Sequence, residues 1–252
     1  MAKATTKKPA VKAGSLRKEL SLGALVAELL GGALLAFAAL MTQNNPILGA
    51  LAVVVGVLIF VEVSGAYLNP VVVVAAWAMK QISWIKAVGF IVVQVLGAML
   101  AYVVITKLQS NGVFSLFTSP DQIKMIEQTY GSVAAATQAG VTVRAPGEWL
   151  PIWGEFVGAI IFGFGIASAV LGKKLGFDRA FTIGGALMLG LLVALAGGQA
   201  VLNPAVATAI SAFSQGGMWS FAAYAIAPVV GGALGAWLFK LLKNDVDSSA
   251  KA

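Results

Sequence analysis

The chain has 252 residues, of which 59% are hydrophobic and 11% are charged, whereas soluble domains average about 45–50% and about 25%. This composition excludes an ordinary soluble domain and indicates an integral membrane protein. The net charge is +7, and the chain contains neither Cys nor His, so a disulfide, a thiolate metal site and a histidine general base are excluded. Neither a paired-carboxylate nor a phosphate-binding signature is present, and we predict no enzyme activity, cofactor or metal site.

Six apolar segments are each long enough to cross about 30 Å of hydrocarbon. They cover, approximately, residues 21–41, 47–64, 87–107, 152–171, 180–196 and 218–242. We therefore predict a membrane domain over residues 20–243, made of two halves, 20–107 and 152–243, which an external loop, 108–151, connects. A disordered basic tail, 1–19, precedes this domain, and a polar tail, 244–252, follows it.

Two tripeptides that begin with Asn-Pro each follow an apolar run and open a shorter one. These two boxes are Asn69-Pro70-Val71 and Asn203-Pro204-Ala205. Asn is a favoured helix N-cap, and Pro fits the first helical position, where no N–H group is needed. Since ten helical residues rise about 15 Å, or half a bilayer, each box predicts a half helix, the first ending near Met79 and the second near Phe213.

Lys and Arg side chains indicate the orientation, because they concentrate in cytoplasmic loops. If both termini are cytoplasmic, fourteen of the seventeen basic residues lie inside, and only Lys107, Lys124 and Arg144 lie outside. We therefore predict a multi-pass protein of the cell (plasma or inner) membrane with both termini in the cytoplasm. The basic tail is interpreted as a headgroup anchor. Nucleic-acid binding is not predicted, because no aromatic side chains are interleaved with its lysines.

The two halves match in sequence at three places and in the same order. Residues 27–31 resemble 154–158, the two Leu-Asn-Pro segments resemble each other, and residues 94–100 resemble 228–234. Each half has three full spans, so the second half enters the membrane from the opposite side. This pattern predicts an all-α inverted repeat of six transmembrane helices and two half helices that meet near the midplane.

A half helix leaves the N–H groups of its first turn at membrane depth, where they must face protein or a water-filled cavity. Two such N-termini place partial positive charge at mid-membrane. We expect Asn69 and Asn203 each to cap their own half helix and to direct amide N–H groups into the cavity. Such a lining donates hydrogen bonds and repels cations and protons, which suits neutral permeants.

With these motifs the sequence resembles the aquaporin and glycerol-facilitator family, the major intrinsic proteins, over about residues 20–242. The motifs that carry the resemblance are Ala-Glu-Leu-Leu-Gly in the first span, Ser-Gly-Ala-Tyr-Leu-Asn-Pro, Gln-Val-Leu-Gly-Ala in the third span, Gly-Glu-Phe-Val-Gly in the fourth, Leu-Asn-Pro-Ala, and Ala-Pro-Val-Val-Gly-Gly in the sixth. The resemblance implies a homotetramer in the lipid bilayer, with one aquaporin-like pore per subunit for water or small neutral solutes.

Polar residues lie within or near the spans, where charge is costly and usually functional. The resemblance implies that Glu28 and Glu155 support the structure by bonding the backbone of the loops that lead to the half helices, and Gln94 is given the same kind of role. Glu62, just before the first box, is either an interior scaffold or a group that reaches the cytoplasmic vestibule. Tyr67 stands where the family usually has His.

The resemblance also locates a selectivity filter, at which this sequence departs from the family. The Arg that usually follows the second box Asn by three residues is Val206 here, and the other filter positions carry over by spacing to Gly49, Leu191 and Ala200. The expected filter has no charge and no side-chain donor, so we expect it to be wide and to lack one barrier to cations. Val71 replaces the usual Ala of the first box, and we expect its bulk to narrow the middle of the pore.

The leading hypothesis is a passive channel for water or small neutral solutes. A non-conducting structural membrane protein and an ion or gas pore are the alternatives, both supported by the missing filter Arg.

Overall fold

The protein is described here by a computed structural model over residues 20–110, 149–214 and 217–250. The predictions of a disordered tail over 1–19 and of a loop over most of 108–151 lie outside these residues. The described chain forms α-helices joined by short turns. In chain order these are α1 Leu22–Met41, α2 Pro46–Ser64, α3 Pro70–Ala78, α4 Trp84–Ser110, α5 Leu150–Leu171, α6 Gly176–Ala194, α7 Pro204–Ala209, α8 Gly217–Phe221 and α9 Ala227–Ser249.

Six helices in the described part of the chain are long and apolar enough to cross a membrane. They are α1, α2, α4, α5, α6 extended by the 3-10 turn Leu195–Gly197, and the continuous segment Gly217–Ser249. The two half helices are α3, with 9 residues, and α7, with 6 residues, which ends at Ala209 and not near Phe213 as predicted. The predicted fold class, six spans and two half helices, is therefore confirmed.

The last span differs from its predicted form at both ends. A π-helical turn, Ala222–Ile226, joins α8 to α9, because Pro228 has no N–H group for the carbonyl of Tyr224 and the helix widens by a residue. The sequence predicts that the C-terminal tail begins at residue 244, but α9 continues to Ser249. A pair four residues apart, Lys243 and Asp247, lies at 3.8 Å on this extension and supports the helix there.

The inverted repeat is visible in how the helices pack. In the first half, Gly97 of α4 lies so close to α1 that a Cβ atom there would overlap the carbonyl oxygen of Leu29. In the second half, a Cβ atom at Gly231 of α9 would overlap the carbonyl oxygen of Phe156 on α5. Such close backbone contacts at small residues are typical of membrane helix pairs. The two pairs, α1 with α4 and α5 with α9, thus pack in the same way and are equivalent in the repeat.

Candidate functional site

Each box Asn caps its own half helix. The Oδ1 atom of Asn69 accepts from the N–H of Val71 at 2.8 Å. The Oδ1 atom of Asn203 accepts from the N–H groups of Ala205, at 3.0 Å, and Val206, at 3.2 Å. Pro70 and Pro204 stand at the first helical positions, as the sequence predicts. Both asparagines are almost fully buried, so the N-termini of the two half helices lie inside the helix bundle.

The amide groups of the two asparagines are used differently. The Nδ2 atom of Asn69 donates to the carbonyl of Leu202 at 3.0 Å, which ties the first box to the loop before the second. Within the described residues, the Nδ2 atom of Asn203 has no protein acceptor. The sequence predicts that both amides face the cavity, but at least one N–H of Asn69 bonds the opposite half of the protein. This cross-half bond helps to hold the two box loops together.

Glu28 organises the first box loop, which we define as Gly65–Leu68. Its Oε1 atom accepts from the hydroxyl of Ser64 at 2.6 Å and the N–H of Tyr67 at 2.9 Å. Its Oε2 atom accepts from the N–H of Leu68 at 2.7 Å and the Nε2 of Gln94 at 2.6 Å. A fully buried carboxylate with four donors is a structural support. This is the role that the resemblance implied for Glu28 and Gln94.

Glu155 holds the second box loop, Gly198–Leu202, in the same way. Its two oxygens accept from the N–H groups of Val201, at 2.5 Å, and Leu202, at 2.9 Å. These donors occupy the same places before the second Asn as Tyr67 and Leu68 occupy before the first. Gln199, which sequence reasoning missed, belongs to the same loop. Its side chain is buried and has no hydrogen-bond partner among the described residues. Each glutamate thus accepts from two backbone N–H groups of its loop, and Glu28 has two further side-chain donors that Glu155 lacks.

The residue before each box Asn has a left-handed backbone. Leu68 has φ 55° and Leu202 has φ 47°, a conformation that costs residues other than Gly of order 1–3 kcal/mol. Both side chains are buried: a Cβ atom at Gly56 would lie 2.9 Å from the Cδ1 of Leu68, and one at Gly190 would lie 2.8 Å from the Cδ1 of Leu202. The hydrogen bonds to the two glutamates and the packing of the leucines against glycines together offset the strain and fix the direction in which the chain enters each half helix.

The third residue of each box packs against a neighbouring helix. Val71 is fully buried, and a Cβ atom at Gly232 of α9 would overlap its Cγ1 atom. The corresponding Ala205 lies in a buried cluster with Ala98 of α4, which is the counterpart of Gly232 in the repeat. The glycine in α9 makes room for the larger side chain of Val71, and the expectation that Val71 narrows the pore stays a prediction. Val71 and Ala205 are packing residues of the boxes.

The positions carried over as the filter lie in two environments. Leu191, Ala200 and Val206 are buried in one apolar cluster, and the N–H of Val206 is bonded by Asn203. Gly49 lies in the first turn of α2, and a Cβ atom there would meet no atom within 4 Å. No charged side chain stands at any of the four positions. Their assignment to a filter stays a prediction.

A polar side chain from outside each box loop bonds one carbonyl group of that loop. The Nδ2 of Asn44, between α1 and α2, donates to the carbonyl of Ala200 at 2.6 Å. Arg179, in the first turn of α6, donates from Nη2 to the carbonyl of Gly65 at 3.0 Å. Neither residue is a candidate from the sequence, although polar residues in turns beside a box are a readable signal. Each box loop is thus bonded to a side chain of the other half of the protein.

Aromatic and basic side chains gather beside the first box loop. The ring of Tyr67 lies 5.5 Å from that of Phe90, centroid to centroid. The Nζ atom of Lys86 lies 5.1 Å from the centroid of Phe90 and 5.9 Å from that of Tyr67, within the range of a cation–π interaction. Arg179 also interacts electrostatically with Tyr67. We call the surface of Tyr67, Lys86 and Arg179 the first mouth.

Glu62 does not belong to this interior network. Its side chain is exposed on α2, and within the described residues it makes no hydrogen bond or ion pair. The interior-scaffold interpretation of Glu62 is therefore wrong, and the vestibule interpretation is left as a prediction.

Two half helices that point their N-termini at each other inside an inverted repeat of six spanning helices define a membrane channel of the aquaporin type. The family model described as "Major intrinsic protein" matches residues 15–239, and the chain belongs to this family. Its members are channels and not enzymes, and this chain is a multi-pass membrane channel for water or small solutes. No curated protein matches the chain by sequence. Among solved structures, the chain is similar to the X-ray structure of the aquaglyceroporin from Plasmodium falciparum. The TM-score is 0.64 and the identity 19%, with 90% of this chain and 98% of that one covered.

Proposed function

We propose that this channel passes water and small neutral solutes passively through a filter that is apolar and has no Arg. The observation that carries the proposal is Val206: it follows the second box Asn by three residues, is buried among apolar side chains, and offers no donor or charge. Gly49 supports the same view, because the space beside it is open. A filter without a bulky or charged group admits larger neutral molecules than water.

We further propose a homotetramer in the cell membrane with both termini in the cytoplasm. The positive-inside distribution of Lys and Arg supports this orientation. The tetramer rests on family membership. The exposed apolar faces of the spanning helices supply surfaces for lipid and for neighbouring subunits.

The test is stopped-flow light scattering on proteoliposomes that contain the wild type, Val206→Arg or the uncharged control Val206→Met. The vesicles are challenged with an impermeant osmolyte and then with glycerol or urea. We expect the wild type to admit the solute much faster than empty liposomes, and Val206→Arg to slow it about tenfold or more. Val206→Met should fall between the two, because it adds length without charge.

Water and solute rates equal to those of empty liposomes, for correctly folded and inserted wild type, would overturn the channel proposal for these permeants. Fast solute entry that Val206→Arg leaves unchanged would remove Val206 from the filter. The solutes are chosen for their chemistry: both are small, neutral and rich in hydrogen-bonding groups, and glycerol also matches the name of the structurally similar aquaglyceroporin.

A further inference from the structure

The inverted repeat relates the two ends of the permeation path residue by residue. The filter position Ala200 lies three residues before the second box Asn, and Ala66 lies three residues before the first. The filter positions Gly49, Leu191 and Val206 have their counterparts, at the same spacing from the other box, in Ile183, Val57 and Val72. Ala66 and these three counterparts are all buried. The end of the path beside the first box loop therefore carries an apolar set equivalent to the filter.

The two ends differ in the charge of the side chain that bonds the box loop there. At the Ala200 end this group is the neutral amide of Asn44. At the other end it is the guanidinium of Arg179, which bonds the carbonyl next to Ala66. Arg179 stands one helical turn before Ile183 on α6, so its charge lies immediately outside the second apolar set.

Lys86 adds a second positive charge at the same end. Its ammonium lies over the rings of Tyr67 and Phe90, and Tyr67 is two residues before the first box Asn. Both basic side chains are half-buried. Charges that are partly withdrawn from solvent are screened by salt less than exposed ones, so they act on an ion that enters the path.

We propose that Arg179 and Lys86 form the cation barrier of this channel. They lie at the end of the path opposite to Val206, which occupies the position of the family's filter Arg. The inference rests on the proposed function, since it assigns the charge selectivity of that same pore. The first mouth repels cations and leaves neutral solutes unaffected.

The acidic groups on this side of the protein do not cancel the barrier. Glu28 lies near Tyr67, but four donors fill its oxygens and it is fully enclosed. Asp178 and Glu62 are exposed, where solvent screens them most effectively. The half-buried charges at the first mouth are therefore both positive.

The experiment measures K⁺ efflux and glycerol entry in the same KCl-loaded proteoliposomes. The test variant is Arg179→Gln/Lys86→Gln, in which the new amide at position 179 keeps a donor for the carbonyl of Gly65. The charge-matched control is Lys107→Gln/Lys173→Gln, which removes two exposed charges that do not belong to the first mouth. The conservative variant Arg179→Lys/Lys86→Arg keeps both charges. If the double variant does not fold, Lys86→Gln alone, which leaves the Gly65 hydrogen bond intact, tests the contribution of the Lys86 charge by the same two measurements.

We expect the test variant to raise K⁺ efflux at least about tenfold. A unit charge roughly 10 Å from an ion, at an effective dielectric constant of about 20, raises the energy of the ion by more than the free energy that corresponds to a factor of ten. Glycerol entry should change less than about twofold. The control and the conservative variant should retain the wild-type efflux. Wild-type glycerol entry with unchanged K⁺ efflux in the test variant overturns this inference alone. A wild type that passes neither water nor glycerol overturns the proposed function and this inference with it.

Discussion

At the scale of single residues, two buried glutamates decide the shape of the path. A carboxylate can accept about four hydrogen bonds without donating any. The oxygens of Glu28 and of Glu155 each accept from two consecutive backbone N–H groups of a strained loop. An amide side chain of the same size would bring a donor in place of one of these acceptors. The two carboxyl groups therefore serve as hydrogen-bond acceptors for the box loops, and the proton-relay role that a membrane carboxylate often indicates has no support in these contacts.

Replacing either glutamate by glutamine should destabilise the protein. In Glu155→Gln and Glu28→Gln an NH₂ group would face a backbone N–H, which leaves that donor unsatisfied and costs about 1–3 kcal/mol. The loss should be larger for Glu28, which has four donors. Thermal unfolding in detergent measures it, with Asp245→Asn on the exposed end of α9 as the control. Glutamine variants that melt at the same temperature as this control would contradict the supporting role.

At the scale of elements, the half helices pack against the full helices through contacts in which the sizes of the two side chains are complementary. In one half, Val71 of α3 meets Gly232 of α9. In the other, Ala205 of α7 clusters with Ala98 of α4. The two contacts occupy equivalent places in the repeat, so a large and a small residue in one half correspond to two intermediate residues in the other. A half helix therefore keeps its position although its box sequence changes.

This complementarity predicts a compensating pair of substitutions. Val71→Ala should leave a cavity, and Gly232→Ala should overpack the contact, each costing roughly 1–3 kcal/mol. The double variant recreates the Ala–Ala contact of the second half, so it should be more stable than the sum of the single effects allows, by about 0.5–3 kcal/mol. A double-mutant cycle on unfolding measures this coupling. Strictly additive effects would show that the two side chains do not share one space.

At the scale of the whole molecule, most of the fold could be predicted because hydropathy and N-capping are local signals. The spans, the half-helix starts at Pro70 and Pro204, and the inverted repeat all follow from short stretches of sequence. The packing of Val71 could not be predicted, because its neighbour Gly232 lies far along the chain. The same holds for Arg179, whose acceptor at Gly65 is distant in sequence, and for the exposure of Glu62, which depends on the rotation of α2.

The orientation of the whole molecule can be tested directly, because the chain has no cysteine. In sealed right-side-out vesicles, a membrane-impermeant maleimide should label Met218→Cys, which lies at the predicted outer end of the last span. It should not label Lys173→Cys, in the predicted cytoplasmic turn, until the vesicles are permeabilised. Both side chains are exposed, so accessibility alone does not distinguish them. The reverse labelling pattern would place both termini outside.

The bonds between the halves also have a consequence for biogenesis. The amide of Asn69 needs the carbonyl of Leu202, and the amide of Asn44 needs that of Ala200. Both acceptors are synthesised more than a hundred residues later. While the ribosome is still making the second half, the first box loop already has its bonds to Glu28, but Asn69 and Asn44 lack these two acceptors. These two bonds between the halves therefore form only when the second box loop enters the membrane.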